Sequence, residues 1–197
     1  MGIGGRVLEA MEKVPRERFV PDDTRDFAYE DTPLHLGHGQ TISAPSMVAI
    51  MCDILDVRDG DKVLDVGTGW GYHAAILSVL AGSGMVYSVE RIPELAVRAE
   101  KILDELGYDN VKVIVGDGSE GLPEFAPYDR INVAAAAPEI PGALAEELAE
   151  DGRLVVPVGR YLQELMLAVK KNGRIETFQK GAVAFVPLVG KAGFKGD

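Results

Sequence analysis

The sequence V-L-D-V-G-T-G-W-G-Y, residues 63–72, decides the fold. Val63, Leu64 and Val66 form a short apolar run that three alternating glycines bring to an end. After Tyr72 the apolar residues recur at helical spacing as far as Leu80. The stretch therefore predicts a strand, a tight glycine turn and a helix. In α/β proteins ligands bind at such turns, because glycine lets the backbone approach a ligand closely and adopt a positive φ.

The spacing of the glycines narrows the class of ligand. Gly67, Gly69 and Gly71 give G-x-G-x-G, whereas the dinucleotide fingerprint G-x-G-x-x-G would need a glycine at Tyr72. No Gly-Lys-Ser/Thr follows, so the turn is not a P-loop. Glu90 ends the next apolar run, 90 − 67 = 23 residues after the first glycine. A carboxylate there can accept hydrogen bonds from both hydroxyls of a ribose.

A glycine turn and a ribose carboxylate without a phosphate grip predict a nucleoside cofactor that has no pyrophosphate. The pattern resembles the S-adenosylmethionine site of Rossmann-like methyltransferases. A purely structural βα turn and an NAD-type site are the alternatives that the motif by itself leaves open.

Composition predicts one globular domain, residues 1–197, in which N-terminal helices and a substrate loop, residues 1–57, pack on the core. The chain is 47% hydrophobic and 26% charged, which is ordinary for a soluble globular protein. The formal net charge of −11 argues against a nucleic-acid partner, because such binding depends on Lys and Arg neutralising phosphates. We expect a monomer.

Cysteine usage and hydropathy bear on the compartment. Cys52 is the single cysteine, so no internal disulfide can form, and its apolar setting predicts a buried helical thiol rather than a nucleophile. No signal-peptide pattern opens the sequence, and no apolar run is long enough to span a bilayer. These features predict a cytoplasmic enzyme with no membrane partner.

The N-terminal third combines helices with a long polar segment. Residues 6–14 have the apolar spacing of a short amphipathic helix, and Phe19 and Val20 are expected to anchor the connector that follows. Residues 29–45 predict a long irregular loop, which in a compact domain is typical of a functional segment. Its histidines, His35 and His38, are expected to lie in solvent or to bond the backbone, because no metal-ligand spacing accompanies them.

Strand and helix patterns alternate after the glycine turn. Helices are predicted for residues 93–106 and 141–149, and Asn172-Gly173 is a strong type I′ hairpin signal. Strands are predicted at residues 63–66, 86–90, 111–115, 153–158, 164–170 and 174–180, and residues 128–138 predict a strand that runs into a small-residue loop. This order predicts a Rossmann-like α/β fold with a mostly parallel seven-stranded sheet, an antiparallel C-terminal hairpin and helices on both faces.

Asp117 has two competing interpretations, and Ser43 is a candidate helix cap. Asp117 follows a strand, where its carboxylate could read an adenine amino group or simply cap the next turn. Ser43 precedes Pro45 and can cap the helix that begins there, since Pro suits a first helical turn.

With the segments in order, the chain resembles the protein-L-isoaspartate O-methyltransferase family over nearly its whole length. G-Q-T-I-S-A-P (39–45) and V-A-F-V-P-L-V-G (183–190) are the specific segments, while the glycine turn is shared with other methyltransferases. The other matching segments are V-P-R-E-R-F-V-P (14–21), V-L-D-V-G-T-G-W-G-Y-H-A-A (63–75), G-D-G (116–118), Y-D-R-I (128–131), A-A-A-P-E-I-P (135–141) and L-V-V-P-V-G (154–159). Trp70, Ala134 and His35 depart from the residues that are frequent in the family.

The resemblance implies a protein-repair enzyme. The family transfers a methyl group from S-adenosylmethionine to the free carboxylate of isoaspartyl residues, leaving S-adenosylhomocysteine, and the resulting ester promotes ring closure to a succinimide. Ser43 corresponds to the family's active-site serine, and Glu90 to its ribose carboxylate. Residues 29–45 and 185–189 are expected to lie together over the carboxyl ends of the strands and to form the peptide slot. The cofactor contacts implied are Thr41, Ile42, Ser43, Ser46, Asp65, Gly67, Thr68, Gly69, Gly71, Tyr72, His73, Glu90, Arg91, Asp117 and Gly118; no metal is implied.

The chemistry requires alignment rather than acid–base catalysis. The acceptor carboxylate is already ionised at neutral pH, since its ordinary pKa is about 4. A nucleophile that carries no proton needs no general base, so Ser43 is expected to donate a hydrogen bond to it. The alternatives are a methyltransferase for RNA, another carboxylate or a small molecule, and a non-catalytic relative that only binds the cofactor or damaged peptides.

Overall fold

The computed structural model describes residues 2–195. The strands are β1 (Leu34–Gly37), β2 (Gln40–Ile42), β3 (Lys62–Val66), β4 (Met85–Glu90), β5 (Val111–Val115), β6 (Tyr128–Val133), β7 (Leu148–Val158), β8 (Gln163–Lys171) and β9 (Arg174–Val183). The α-helices are α1 (Gly5–Lys13), α2 (Pro45–Leu55), α3 (Tyr72–Ala81), α4 (Pro93–Glu105) and α5 (Gly142–Glu146).

Seven strands form one sheet in the order β5-β4-β3-β6-β7-β8-β9. β3 to β7 are parallel, and β8 runs antiparallel to both of its neighbours. The predicted mostly parallel sheet with an antiparallel C-terminal hairpin is confirmed. Asn172 and Gly173 join β8 to β9 with φ values of 51° and 71°, as a type I′ turn requires.

The sheet separates two buried clusters, because successive side chains of a strand point to opposite faces. In β3, Val63 belongs to the cluster that α1, α2 and α3 cover, whereas Leu64 and Val66 belong to the cluster on the α5 side. Helices therefore pack on both faces, as predicted.

The N-terminal segment is part of the first cluster. Val7 and Ala10 of α1 are buried, and α1 contacts α2 and α3. Phe19 and Val20 are 0% and 1% exposed, so the prediction that they anchor the connector is confirmed. No helix within residues 2–195 is long and apolar enough to cross a membrane.

The predicted irregular loop, residues 29–45, contains regular structure. β1 and β2 form a short antiparallel hairpin with His38 and Gly39 at its turn. Weak apolar periodicity concealed this hairpin, because its strands are only four and three residues long and only Leu36 and Ile42 of them are buried. His35 and His38 are exposed, in agreement with the solvent interpretation.

The prediction that Ser43 caps α2 is wrong. The N-cap residue is Ala44 and makes no side-chain cap, although Pro45 does occupy the first turn. The carboxylate of Asp31, on the preceding loop, instead accepts a hydrogen bond from the Ser46 N–H at 2.9 Å. The cap is therefore supplied by a residue distant in sequence, and the Ser43 hydroxyl is not used for it.

Helix α5 is shorter than predicted. It ends at Glu146, and β7 begins at Leu148, which pairs with Tyr128 of β6. The sequence of residues 143–150 favours a helix by propensity, but pairing with the sheet overrides that preference. Asp151, expected in a turn before the strand, lies within β7 at φ 60°, where the ladder is irregular.

Candidate active site

A cleft lies at the carboxyl ends of β3 and β4, where ligands bind in open α/β sheets. The glycine turn after β3 forms one wall. Residues 40–43 and 186–189 form the other walls, so the predicted proximity of these two segments is observed. A ligand in the cleft would contact both the glycine turn and Ser43.

The glycine turn has the positive φ angles that its sequence suggested. Gly67, Gly69 and Gly71 have φ values of 96°, 57° and 97°, in the region that other residues rarely adopt. A Cβ on Gly67 would lie 3.5 Å from the Cβ of Ala134, and one on Gly71 would lie 3.1 Å from Leu103. The first two glycines therefore leave open the wall of the cleft, and the third allows close packing of α3 on α4.

Glu90 ends β4 inside the cleft and is 5% exposed. One carboxylate oxygen accepts the N–H of Gly69 at 2.9 Å, and the other accepts the N–H of Ile92 at 3.0 Å. Each oxygen of a carboxylate can accept two hydrogen bonds, so both retain a lone pair. Glu90 thus holds the glycine turn and can still accept ligand hydroxyls.

A buried row of polar side chains crosses the sheet beneath the turn. Ser88, Asp65 and Asn132 are in register on three neighbouring parallel strands, and all three are 0% exposed. Asp65 accepts hydrogen bonds from the Ser88 hydroxyl at 2.7 Å and from the Asn132 amide at 2.8 Å. Thr68 lies 2.6 Å from the Ser88 hydroxyl and connects the row to the turn.

Burial dominates the electrostatics of this row. It raises the pKa of Asp65 to about 6, although the hydrogen bonds from Asn132 and Ser88 act in the opposite direction. Burial also lowers the pKa of His73 to about 4, so that its imidazole is neutral at neutral pH. His73 Nδ1 lies 3.2 Å from the Asn132 amide, and Nε2 lies 3.3 Å from the Cys52 sulfur. With both ring nitrogens engaged, His73 is not placed to act as a general base.

Cys52 is a buried helical thiol, as predicted. Burial raises its pKa, and Asp65 and Asp53 add to that effect. A thiol in this state is a poor nucleophile.

Most of the predicted cofactor contacts line the cleft, although Ser46, Asp65, Gly71 and Asp117 do not. Those that line it are Thr41, Ile42, Ser43, Gly67, Thr68, Gly69, Tyr72, His73, Glu90, Arg91 and Gly118. Asp65 lies beneath the turn, and Ser46 is exposed on α2. These residues can affect a ligand only through the backbone that they hold.

Asp117 does not line the cleft, and its carboxylate accepts hydrogen bonds from the protein itself. One of its oxygens accepts the N–H and the hydroxyl of Ser119 at 3.0 and 2.6 Å, and the other accepts the N–H of Lys191 at 2.8 Å. Burial opposes ionisation, but these hydrogen bonds outweigh it and lower the pKa of Asp117. Its neighbour Gly118 lines the cleft and cannot carry a side chain, since a Cβ there would lie 2.6 Å from Val66.

Several apolar residues of the cleft were not predicted from the sequence. They are Phe19, Leu36, Val48, Val66, Trp70, Val89, Ala134 and Ala135. In sequence an apolar side chain at a cleft is indistinguishable from one in the core. Within residues 2–195 no group of three His, Cys, Asp or Glu side chains is arranged to hold a metal ion.

A seven-stranded Rossmann-like sheet with a G-x-G-x-G turn after the middle one of its five parallel strands and a carboxylate at the end of the next strand defines a class I S-adenosylmethionine-dependent methyltransferase. The family model for Protein-L-isoaspartate(D-aspartate) O-methyltransferase matches residues 3–193. The chain belongs to this family.

Similar proteins agree with that assignment. A protein-L-isoaspartate O-methyltransferase of Methanocella arvoryzae is 67% identical over 94% of this chain and 100% of its own. A solved protein-L-isoaspartate O-methyltransferase superposes with a TM-score of 0.90 at 32% identity, covering 98% of this chain; the match spans 63% of the length of that protein. A Plasmodium falciparum protein described as the same enzyme, solved with S-adenosyl-L-homocysteine, gives a TM-score of 0.85 at 30% identity over 94% of this chain and 91% of its own.

The buried row predicts opposing pH dependences of stability. Between pH 4 and 6 the folded state keeps a proton on Asp65 that the unfolded state has lost, so this group lowers the free energy of unfolding as pH rises. Between pH 4 and 6.5 His73 is protonated in the unfolded state but not in the folded state, so this group increases the free energy of unfolding as pH rises. We expect stability of Asp65→Asn to increase more steeply with pH than that of the native protein, measured by urea unfolding from pH 4.5 to 6.

The reciprocal variant is His73→Gln, whose stability should fall over the same range. His35→Gln, which changes an exposed histidine, is the matched control and should keep the native slope. Equal slopes in all four proteins would contradict the assigned protonation of the row.

Proposed function

We propose that this chain repairs damaged proteins by transferring a methyl group from S-adenosylmethionine to the free carboxylate of L-isoaspartyl residues. The observation that carries the proposal is the position of Ser43, in the family-specific segment G-Q-T-I-S, on the same cleft as the glycine turn and Glu90. Membership of the family supports the reaction, and the relative solved with S-adenosyl-L-homocysteine supports the cofactor.

The residues of the cleft fit an adenosyl group with a sulfonium side chain. Glu90 would accept the ribose hydroxyls, because its two oxygens keep free lone pairs. Arg91 is the one Lys or Arg among the described residues that line the cleft, so a pyrophosphate would lack its usual cationic partners. The donor set therefore favours a nucleoside without phosphates, and disfavours NAD.

Asp117 would act on the adenine side indirectly. Its side chain does not line the cleft and accepts hydrogen bonds from Ser119 and Lys191, so we assign to it the fixing of the turn that places the Gly118 backbone at the cleft. Ser46, Asp65 and Gly71 would likewise act through the backbone that they support.

The chain would contribute alignment to the reaction. When bound, S-adenosylmethionine supplies an activated methyl group on a positively charged sulfur. Ser43 would donate a hydrogen bond to the isoaspartyl carboxylate and orient it for in-line attack. No cation beyond Arg91 faces the cleft among residues 2–195, which suits a carboxylate that loses charge as it reacts. The neutral, fully engaged His73 accords with a mechanism that has no general base.

The segment 186–189 would form the peptide slot opposite Ser43. Phe185, just before it, exchanges two hydrogen bonds with Gln163, and the N–H of Ala136 donates to the Val186 carbonyl at 2.8 Å. The segment is therefore anchored on both sides of the cleft wall, which favours an ordered binding surface.

Net charge −11 and the single cysteine further support a cytoplasmic monomer without a nucleic-acid partner.

The activity is tested with two synthetic peptides that differ only in one linkage. We expect labelled methyl to pass from S-adenosylmethionine to the isoaspartyl peptide, and at least about a hundredfold more slowly to the normal aspartyl peptide, because moving the carboxylate by about 1 Å costs that much. Equal rates on both peptides would refute the substrate assignment. Labelling of total RNA instead would favour a nucleic-acid methyltransferase.

Glu90→Gln tests the ribose contact. We expect this variant to bind S-adenosylhomocysteine more weakly by about 1–3 kcal/mol, the cost of weakened pairing of buried polar groups. Calorimetry should also show that native protein prefers the cofactor product over its 2′,3′-dideoxy analogue and that Glu90→Gln does not. Glu94→Gln, on the exposed first turn of α4, is the control. A preference that survives in Glu90→Gln would remove Glu90 from the ribose.

Ser43→Ala tests the proposed orientation of the substrate. One lost hydrogen bond to a charged group is worth about 1.5–3 kcal/mol, so kcat/KM for the isoaspartyl peptide should fall roughly tenfold to a few hundredfold. Cofactor affinity should stay near that of the native protein, and Ser43→Thr should keep partial activity. Ser83→Ala, on an exposed turn outside the cleft, is the control. Complete inactivation of a folded, cofactor-binding variant would indicate covalent or proton-transfer chemistry at Ser43.

A further inference from the structure

Arg16 is a buried arginine that connects three segments around Ser43. It begins the short 3₁₀ helix Arg16–Phe19 and is 0% exposed. Its Nε donates to the carbonyl of Ala28 at 2.6 Å, and its Nη2 donates to the carbonyl of Ser43 at 2.8 Å. The guanidinium carbon also lies 4.7 Å from the centre of the Tyr72 ring.

The guanidinium is buried without an anionic partner. Among residues 2–195 no carboxylate oxygen lies within 4.0 Å of it, and its Nη1 has no hydrogen-bond partner there. Burial lowers the pKa of Arg16, although Tyr72, Tyr29 and Asp31 act in the opposite sense. Burying an unpaired charge is unfavourable for stability. Stability is therefore a weak explanation for an arginine at this position.

The backbone at Ser43 and just after it is held by long-range contacts. Arg16 bonds the carbonyl of Ser43, and Asp31 bonds the N–H of Ser46 at the start of α2. The Ser43 hydroxyl has no hydrogen bond to any described residue, so its direction depends on the backbone that carries it. Side chains distant in sequence, together with the β1–β2 pairing at Ile42, set the place of that backbone.

Tyr72 links this arrangement to the cofactor side of the cleft. It is the first residue of α3, directly after the glycine turn, and its ring lines the cleft beneath the guanidinium. The guanidinium therefore contacts both the Ser43 backbone and the residue that follows the turn. Loss of Arg16 would free Ser43 to move relative to the methyl donor.

We propose that Arg16 is a positioning residue for methyl transfer, which holds the carbonyl of Ser43 so that the hydroxyl faces the reacting carboxylate. The proposal rests on the proposed role of Ser43. It differs from a purely structural role in one measurable respect. A residue that acts through the Ser43 hydroxyl has nothing left to contribute to the chemical step once that hydroxyl is removed, whereas a general stabiliser does.

The test is a double-mutant cycle of Arg16→Met and Ser43→Ala, with kcat and KM measured on an isoaspartyl peptide. Methionine keeps the apolar packing of the side chain and removes both hydrogen bonds. We expect Arg16→Met to lower kcat about 10- to 100-fold, the range for a small misplacement of reacting groups, with calorimetric affinity for S-adenosylhomocysteine near native. In the Ser43→Ala background the same substitution should change kcat less than about threefold.

Two further variants keep the test decisive. Arg18→Met, two residues on, removes an exposed arginine that pairs with Glu105 and should keep native kcat. Arg16→Lys retains the charge and can satisfy one carbonyl; it should lose less kcat than Arg16→Met and should also be non-additive with Ser43→Ala. If Arg16→Met does not fold, the cycle is completed with Arg16→Lys.

The outcomes separate failure of this proposal from failure of the proposed function. Equal loss of kcat in the native and Ser43→Ala backgrounds would overturn positioning through Ser43. Native kcat in the Arg16 variants, with a slow Ser43→Ala, would overturn the positioning role and leave the role of Ser43 intact. Native kcat in Ser43→Ala, with turnover of the isoaspartyl peptide, would overturn both roles and leave the reaction itself established.

Discussion

The buried carboxylate of Asp65 is the constraint on which the site depends. It lies on β3, the middle one of the five parallel strands, and is bonded to Ser88 on one neighbouring strand and to Asn132 on the other. A buried carboxylate is tolerated only if its oxygens are hydrogen-bonded, so the three strands must keep the register that brings these residues together. That register sets where the strands end, and the glycine turn and Glu90 follow directly from those ends. Thr68 carries the same network into the turn itself.

Two segments close the cleft around this frame. Side chains from other parts of the chain bind their backbone groups. Asp117 and Ser119, at the end of β5, accept the N–H groups of Lys191 and Ala192, and Gln163 pairs with Phe185. These bonds hold the chain on both sides of residues 186–189. On the opposite wall Arg16 holds the chain at the Ser43 carbonyl, and Asp31 holds it at the Ser46 N–H. Both segments are irregular, so their backbone groups would otherwise have only water as a partner.

The chemistry of the site agrees with this construction. Methyl transfer to an ionised carboxylate needs two reactants placed in line, and it needs no proton to be removed. The polar side chains beneath the cleft are accordingly bonded to one another or to the backbone, and His73 is neutral with both ring nitrogens engaged. The groups that remain to contact a ligand are the Glu90 carboxylate, the Ser43 hydroxyl and backbone groups, all in fixed positions. Rigidity of that arrangement replaces the acid–base pair that other transfer reactions require.

The sequence by itself determined the order of strands and helices, the glycine turn and the position of Glu90, because these depend on local periodicity and on backbone conformations that only glycine adopts readily. It also predicted the segments that face each other across the cleft. Only the tertiary structure decided that Asp31, not Ser43, caps α2, that residues 148 and 149 join β7 rather than α5, and that Asp117 binds the backbone of Lys191 rather than lining the cleft. Each of these outcomes depends on a partner far along the chain, namely Ser46, Tyr128 and Lys191. Local propensities differ by less than about 1 kcal/mol per residue, so such contacts override them.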